Sequence, residues 1–352
     1  MARSERSPRG ATIVDVAARA GVSPMTVSRV INGRTGVGAE TRVLVEEAIR
    51  ALSYTPNPAA RSLASATELR IGVIYSNAGA AFMSDFLTGV FEEASARGAH
   101  LVLLKGDNGR PPSSVALEEL AASNISGFLL APPLGEAPDV LRILRDAGCA
   151  MAAVGAYQSP ETICVRVNDR AASYQMTRLL LDLGHRRIGF ILGNPDQAAS
   201  AERMAGFYAA VRETGGVDVQ VVQGDFTYMS GLAAGEQLLG SPNPPTAIFA
   251  SNDDMAAAVI SVAHRRHLDV PNELTVAGFD DTTAAVTLWP PLTTVRQPVR
   301  ELAAEALSLL IAEIRARGSK SNVPRERILS HQIIERQSTG EVNPSSSSSS
   351  PS

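Results

Sequence analysis

Apolar residues at helical spacing mark two short helices near the start of the chain. In residues 12–33, TIVDVAARAGVSPMTVSRVING, Ile13, Val16, Ala17 and Ala20 share one helical face. Val27, Val30 and Ile31 share a second. Ala20-Gly21-Val22 joins the two. Gly21 can take the positive φ of a tight turn, Ser23 can cap the second helix, and Pro24 sits at a first helical position where its missing N–H costs nothing. Val45, Ala48, Ile49 and Leu52 predict a third helix over 39–52, with Tyr54 closing a small core. Two helices packed steeply through a glycine turn form a helix-turn-helix, whose second helix fits a DNA major groove. A helical hairpin without a ligand is the competing reading, and the outward positions weigh against it. Met25, Thr26, Ser28, Arg29 and Asn32 offer a guanidinium for base edges, hydroxyls and an amide for phosphates, and one apolar tip. No carboxylate stands among them, which suits a surface that meets a polyanion.

Thr55-Pro56-Asn57-Pro58 stops the third helix. The Ala-rich run 59–65 has good helix propensity and is too short to be stable alone, so it reads as a hinge that becomes helical only when DNA or a partner hinge supports it. From Leu69 the pattern changes. Apolar strand runs fall at 71–75, 101–104, 127–130, 150–154, 188–192, 217–222, 247–250 and 276–279. Helical patterns fall between most of them, at 85–96, 115–122, 140–147, 171–183, 203–212, 229–239 and 254–263. This alternation predicts parallel sheets covered on both faces. The strands are too many for one doubly wound unit, so the expected fold is an all-α helix-turn-helix head followed by an α/β core of two Rossmann-like lobes. Such sheets bind ligands beyond their strand C-termini, which places a cleft between the lobes.

The net charge of −4 looks wrong for a DNA binder until it is divided along the chain. Residues 1–70 hold ten arginines against six acids, or +4, so the remainder carries −8. A basic head on an acidic body confines phosphate attraction to the head. Cys149 and Cys164, far apart in apolar surroundings, read as buried free thiols and exclude a disulfide framework. No signal sequence or long apolar span is read, so a cytoplasmic protein with no membrane partner is expected. Residues 1–10 and the Ser-rich tail 339–352 read as disordered.

Seven ordered motifs carry a resemblance: DVAARAGVSPMTVSRVING, YTPNPAARSLAS, LGHRRIGFI, AERMAGF, SNDDMA, AGFDD and PPLTTVRQP. Residues 12–65 resemble the DNA-binding head and hinge of the LacI/GalR family of bacterial transcription regulators, and residues 69–338 its effector-binding core, itself similar to periplasmic sugar-binding proteins. The resemblance implies a head over 11–56, a hinge over 57–68, a first lobe over about 69–167 and 297–323, and a second over about 168–296 and 324–338. It places base reading on Pro24, Met25 and Arg29. Proline and methionine make no bidentate bonds, so they imply van der Waals readout, while Arg29 suits a guanine edge. Ser23, Thr26, Ser28, Asn32 and Thr41 match phosphate contacts. Leu63 matches a lever leucine that wedges a base step from the minor groove, flanked by Asn57, Arg61 and Ala64; an ordinary linker leucine is the alternative.

In the core, Asp169, Arg203, Phe226, Asn252 and Asp280 match effector contacts, whose carboxylates, amide, guanidinium and aromatic face suit a sugar. Phe82, Met83 and Asp85 follow the first core strand and join them. Plainer readings stay open: a turn or helix cap at Asp280-Asp281, a surface aromatic at Phe226, a solvated charge at Arg203. A carbohydrate effector is expected, with a purine or nucleoside as the alternative. The partners implied are a pseudo-palindromic duplex operator, that effector and a second copy of the chain, with dimer contacts from core helices such as 85–96. No cofactor or metal is implied. Neither a Walker sequence, a G-x-G-x-x-G nor a G-x-S-x-G is present, so catalysis is not expected. His264 and His267 lack ligand partners nearby, and His185 reads as a structural cation at a helix C-terminus. A solute-binding protein would need only the core, and the head argues against it.

Overall fold

The computed structural model describes residues 11–31, 37–52, 54, 69–76, 80–107, 109–157, 159–316 and 322–342. The chain divides into two units, Met1–Glu68 and Leu69–Ser352. Within the first lie α1 (Ile13–Ala20), α2 (Pro24–Ile31) and α3 (Ala39–Ala51). Thr12 and Asp15 close a capping box on α1: the Asp15 carboxylate accepts from Thr12 N at 2.8 Å and Thr12 Oγ1 accepts from Asp15 N at 3.4 Å. Gly21 ends α1 at φ 65°, ψ 30°, and Thr26 N donates to Ser23 Oγ at 3.1 Å, capping α2. Val16, Val27 and Val45 are fully buried, one from each helix, and pin the three together. Asn32 lies outside the described residues, as do Asn57, Arg61, Leu63 and Ala64 with the rest of the hinge over 57–68.

The second unit contains two six-stranded sheets. In chain order the first lobe runs β1 (Arg70–Tyr75), α4 (Ala80–Arg97), β2 (His100–Lys105), α5 (Ser114–Ala122), β3 (Gly127–Leu130), a 3-10 turn Leu134–Glu136, α6 (Pro138–Asp146), β4 (Ala150–Val154) and β5 (Thr162–Val167). The second runs α7 (Asp169–Asp182), β6 (Arg187–Leu192), α8 (Ala198–Thr214), β7 (Asp218–Gln223), α9 (Tyr228–Leu239), β8 (Ala247–Ala250), α10 (Asp253–Arg265), β9 (Thr275–Asp280), α11 (Thr283–Thr287) and β10 (Thr293–Arg296). The chain then returns to the first lobe for α12 (Val299–Arg315) and β11 (Glu326–Leu329), and crosses once more for β12 (Gln332–Ile334). The sheet orders are β11-β5-β4-β3-β1-β2 and β12-β10-β9-β8-β6-β7, parallel except for the β10–β12 pair. Near-continuous apolar runs such as Phe128-Leu129-Leu130 are buried on both faces, as helix-covered parallel strands require. Among the described residues no helix is long and apolar enough to cross a membrane.

Four expectations are corrected. Residues 324–338 do not all join the second lobe: β11 pairs in parallel with β5, Glu326 opposite Cys164, and Arg166 holds Glu326 at 2.6 Å, so the last crossing falls between Leu329 and Gln332. Order extends past 338, because His185 Nε2 lies 3.1 Å from Gly340 O and Val342 N donates to Leu183 O at 3.0 Å. His185 is not a structural cation. It is buried with Nδ1 2.9 Å from Thr246 Oγ1, and burial pushes its pKa down, which favours the neutral ring. Cys164 is buried, but Cys149 is only partly so.

Gly206 lets α8 lie against α7. A Cβ there would come within 2.1 Å of Arg170 O, a backbone atom that cannot step aside. This approach also brings Ser173 Oγ to 2.6 Å from Arg203 O, fixing the helix register that aims Arg203 at the cleft. Gly206→Ala should lower core stability by about 1–3 kcal/mol through overpacking, despite alanine's better helix propensity. A urea midpoint equal to or above that of the native chain would refute this packing.

Candidate functional site

Two regions carry chemistry. In the head, Val27 and Val30 turn inward, so the opposite face of α2 is left to solvent. Pro24, Met25 and Arg29 are exposed, with Met25 at 68%. Arg29 makes no ion pair among the described residues, leaving its guanidinium available to a base edge. Ser23 is exposed and Thr26 half-buried; their hydroxyls lie 2.9 Å apart, so the pair is already ordered by the cap. Ser28 and Thr41 are half-buried.

In the core, a cleft of about 770 Å³, open to solvent, lies beyond the strand C-termini of both sheets. Arg203 on α8 reaches into it with only 7% of its side chain exposed. Its Nε donates to Asp169 Oδ1 at 2.8 Å, NH1 donates to Ser251 O, and the guanidinium lies 3.6 Å above the Phe279 ring centroid. Tyr157 OH donates to the other Asp169 oxygen at 2.8 Å. Burial, and then the Asp169 charge, push the Tyr157 pKa up, so the phenol stays a donor. Arg166 sits 4.1 Å above the Tyr157 ring while both Nε and NH2 grip Glu326.

Phe226 is buried at φ 71°, a left-handed backbone that an L-residue adopts at some strain. Asn252 Nδ2 donates to Phe226 O at 2.9 Å and Oδ1 accepts from Met255 N at 2.9 Å, so one amide caps α10 and steadies Phe226. Gly193 has no Cβ because one would strike the Phe226 ring at 2.0 Å. Asp280 ends β9 at φ 119° and accepts from Gln297 Nε2 at 2.6 Å. Burial pushes its carboxyl up to about 7, against the pull of the Arg203 charge and the Gln297 amide. Behind it Asp253, fully buried, accepts from Thr294 Oγ1 at 2.6 Å and Thr282 N at 2.7 Å; burial, then Asp280, push its pKa well up.

Residues 12–57 match the model for bacterial regulatory proteins of the lacI family, and residues 177–339 the periplasmic binding protein-like domain. Catabolite control protein A of Priestia megaterium is 32% identical over 93% of this chain and 99% of its own. The transcriptional repressor PurR of Photobacterium profundum is 31% identical over 95% of this chain and 100% of its own. The chain belongs to the LacI family of bacterial regulatory proteins. Among solved structures, a complex of the regulator CelR with cellobiose is 32% identical over 93% of this chain and 99% of that one, with TM-score 0.69. The lac repressor dimer bound to operator and the anti-inducer ONPF is 27% identical over 94% of this chain and 100% of that one, with TM-score 0.78. This LacI-family chain is thus a DNA-binding transcription regulator with an effector-binding core.

The structure brings together Phe82, Met83, Asp169, Arg203, Phe226, Asn252 and Asp280 around the cleft. Asp85 is the exception. It lies on α4 outside the cleft lining and pairs with Arg300 of α12 at 2.8 Å, because it shares a helical face with Gly89, which packs closely on the Arg300 backbone. The solvated reading of Arg203 and the surface reading of Phe226 both fall, since both are buried. Arg166, Gln197, Asp254, Thr282 and Gln297 also line the cleft, beyond the residues the sequence points to. The SNDDMA and PPLTTVRQP motifs contained Asp254 and Gln297; Arg166 and Gln197 carried no motif.

Proposed function

We propose that this chain is a homodimeric repressor, acting in the cytoplasm, whose grip on a pseudo-palindromic operator is set by a neutral, hydroxyl-rich effector bound between the lobes. The carrying observation is the charge state of the cleft. Its two guanidinium groups, Arg166 and Arg203, are already bound to Glu326 and Asp169. Asp280 keeps one carboxylate oxygen open, and Asp254 accepts no hydrogen bond among the described residues. Such a site presents acceptors and rewards donors, with Phe82 and Phe226 as apolar faces. Sugar hydroxyls satisfy it, whereas sugar acids and sugar phosphates meet uncompensated carboxylates. The CelR–cellobiose complex supports the same class. A purine is the second reading, favoured by the PurR relative and the aromatic faces. Effector control acts only through differential affinity for two lobe arrangements, and operator must change effector affinity by the same factor. The regulators found as relatives support a binding role without catalysis.

For the DNA half, Pro24, Met25 and Arg29 would read bases, Ser23, Thr26, Ser28, Asn32 and Thr41 would meet phosphates, and Asn57, Arg61, Leu63 and Ala64 would follow the minor groove. The lac repressor dimer on its operator supports two copies, and exposed Phe91 on α4 offers an apolar contact for a second copy.

A thermal-shift panel of neutral mono- and disaccharides, sugar acids, sugar phosphates and purines tests the effector class. At a hundredfold excess over Kd, a true effector adds about 2.7 kcal/mol, or roughly 5–10 °C for a core of this size. A neutral saccharide should produce it; a shift from anionic sugars alone overturns the reading, and one from purines alone selects the second. Affinity for the saccharide should also fall as pH drops through about 7, where Asp280 protonates and loses an acceptor. A pH-independent isotherm there would remove Asp280 from the contact set.

A further inference from the structure

Glu136 ends the 3-10 turn after β3, in the first lobe, yet its carboxylate is divided between both lobes. Oε1 accepts from Tyr157 N at 3.1 Å within its own lobe, and Oε2 accepts from Ala198 N at 2.9 Å in the second. Ala198 is the first residue of α8, and the N-cap residue Gln197 gives that helix no side-chain cap. No acidic residue lies in its first turn either. The helix end that would ordinarily be capped from within is capped across the cleft by a carboxylate, which also suits the positive end of the helix dipole.

Among the described residues, the other hydrogen bonds between the lobes lie at the crossings. Tyr157–Asp169, Gln297–Asp280 and His331–Gln175 each have a partner within two residues of a crossing segment. Glu136 and Ala198 are each about thirty residues from the nearest one. A hinge motion that pivots near the crossings can leave the first three bonds intact, but it must break the fourth. Gln197 and Ala199, on either side of the bonded Ala198, line the cleft, whereas Glu136 does not. The bond therefore stands beside the effector site without belonging to it.

We propose that Glu136 is a clasp that holds the lobes together before any effector arrives, so that this one carboxylate sets how much of the ligand-free protein is already closed. Closure then needs no ligand bridge, and apparent effector affinity scales with the closed fraction that the clasp maintains. The inference rests on the two-lobe cleft but not on what fills it, and its test uses no effector.

Spin labels at Asp139→Cys on α6 and Arg212→Cys on α8, in a Cys149→Ser background, report lobe separation by pulsed dipolar spectroscopy. The full-length chain is used, with labelled protomers diluted in unlabelled ones. With Glu136 intact the ligand-free distance distribution should be narrow. Glu136→Ala should raise the population of longer separations about tenfold, as loss of a charge-assisted hydrogen bond implies. Glu136→Gln, which keeps one acceptor, should fall between. A carboxylate that merely capped α8 would lower the melting temperature and leave the distances unchanged. Superposable distributions for the native chain and both variants, each folded by circular dichroism, overturn the clasp.

Discussion

Arg203→Met should cost the core about 3–5 kcal/mol, because it leaves Asp169 charged, buried and without its guanidinium. At roughly 2–4 °C per kcal/mol for a domain of this size, the melting point falls far enough for a simple thermal scan. The pair does more than neutralise charge: Arg203 also closes Ser251 O and covers Phe279, so its loss removes a hydrogen bond beyond β8 and a cation–π contact on β9. The double variant Asp169→Leu with Arg203→Met should recover much of the loss, since removing both charges removes the desolvation penalty that one alone leaves behind. If the single variant melts with the native chain, Arg203 is not buried against Asp169 in solution. Both variants should lose the effector response, the single one through instability and the double one through the altered wall of the cleft.

Arg29→Ala should be the largest effect on the DNA side. One bidentate arginine–guanine contact is worth roughly 1–3 kcal/mol of discrimination. A dimer removes two at once, so specific affinity should fall by about 2–6 kcal/mol, while affinity for unrelated duplex falls little. Fluorescence anisotropy on a selected operator and on a scrambled one, at one salt concentration, gives both numbers. Loss confined to the operator, with relaxed preference at one base pair per half-site, is the expected pattern. An equal loss on both duplexes makes Arg29 a phosphate contact, and unchanged base preference removes it from the reading set.

The head was legible because its signals are local. Gly21, Ser23 and Pro24 each act within four residues, and the three-valine core follows from helical periodicity. Strands such as β3 and β8 were legible as continuous apolar runs between turns. What escaped was the structure made by distant partners. β10 reads Thr-Thr-Val-Arg, and its buried hydroxyls are satisfied by Asp253 and Thr339, both about forty residues away in sequence. β11 and β12 lie at sheet edges with much of their surface in solvent, so alternation is weak. β5 carries a buried Thr162 and Cys164 within its apolar positions, which blurs the run. The helix Val299–Arg315 has a clear apolar face, but periodicity alone does not say which of the two lobes it covers.

The cleft divides the same way. Residue types at Asp169, Arg203, Phe226 and Asp280 were legible from motifs, but their use was not. Arg203, expected to hold the effector, also holds Asp169, and Asn252, expected to bond a ligand, also caps α10 and anchors Phe226. Pairing of this kind depends on which side chains meet across helices and strands, and spacing along one chain does not contain it.

The interleaving of the two lobes has a consequence during synthesis. α12 and β11 leave the ribosome after the whole of the second sheet but β12, so the first lobe waits for residues 299–329 before its own sheet and covering helix are complete. At about 5–20 residues per second, that wait lasts several seconds or more after β5 has emerged. The small head, whose contacts are all local, faces no such delay. A nascent chain therefore carries a finished reading module well before it has anything able to answer to a metabolite, and products that stop short of β11 would bring DNA affinity without control.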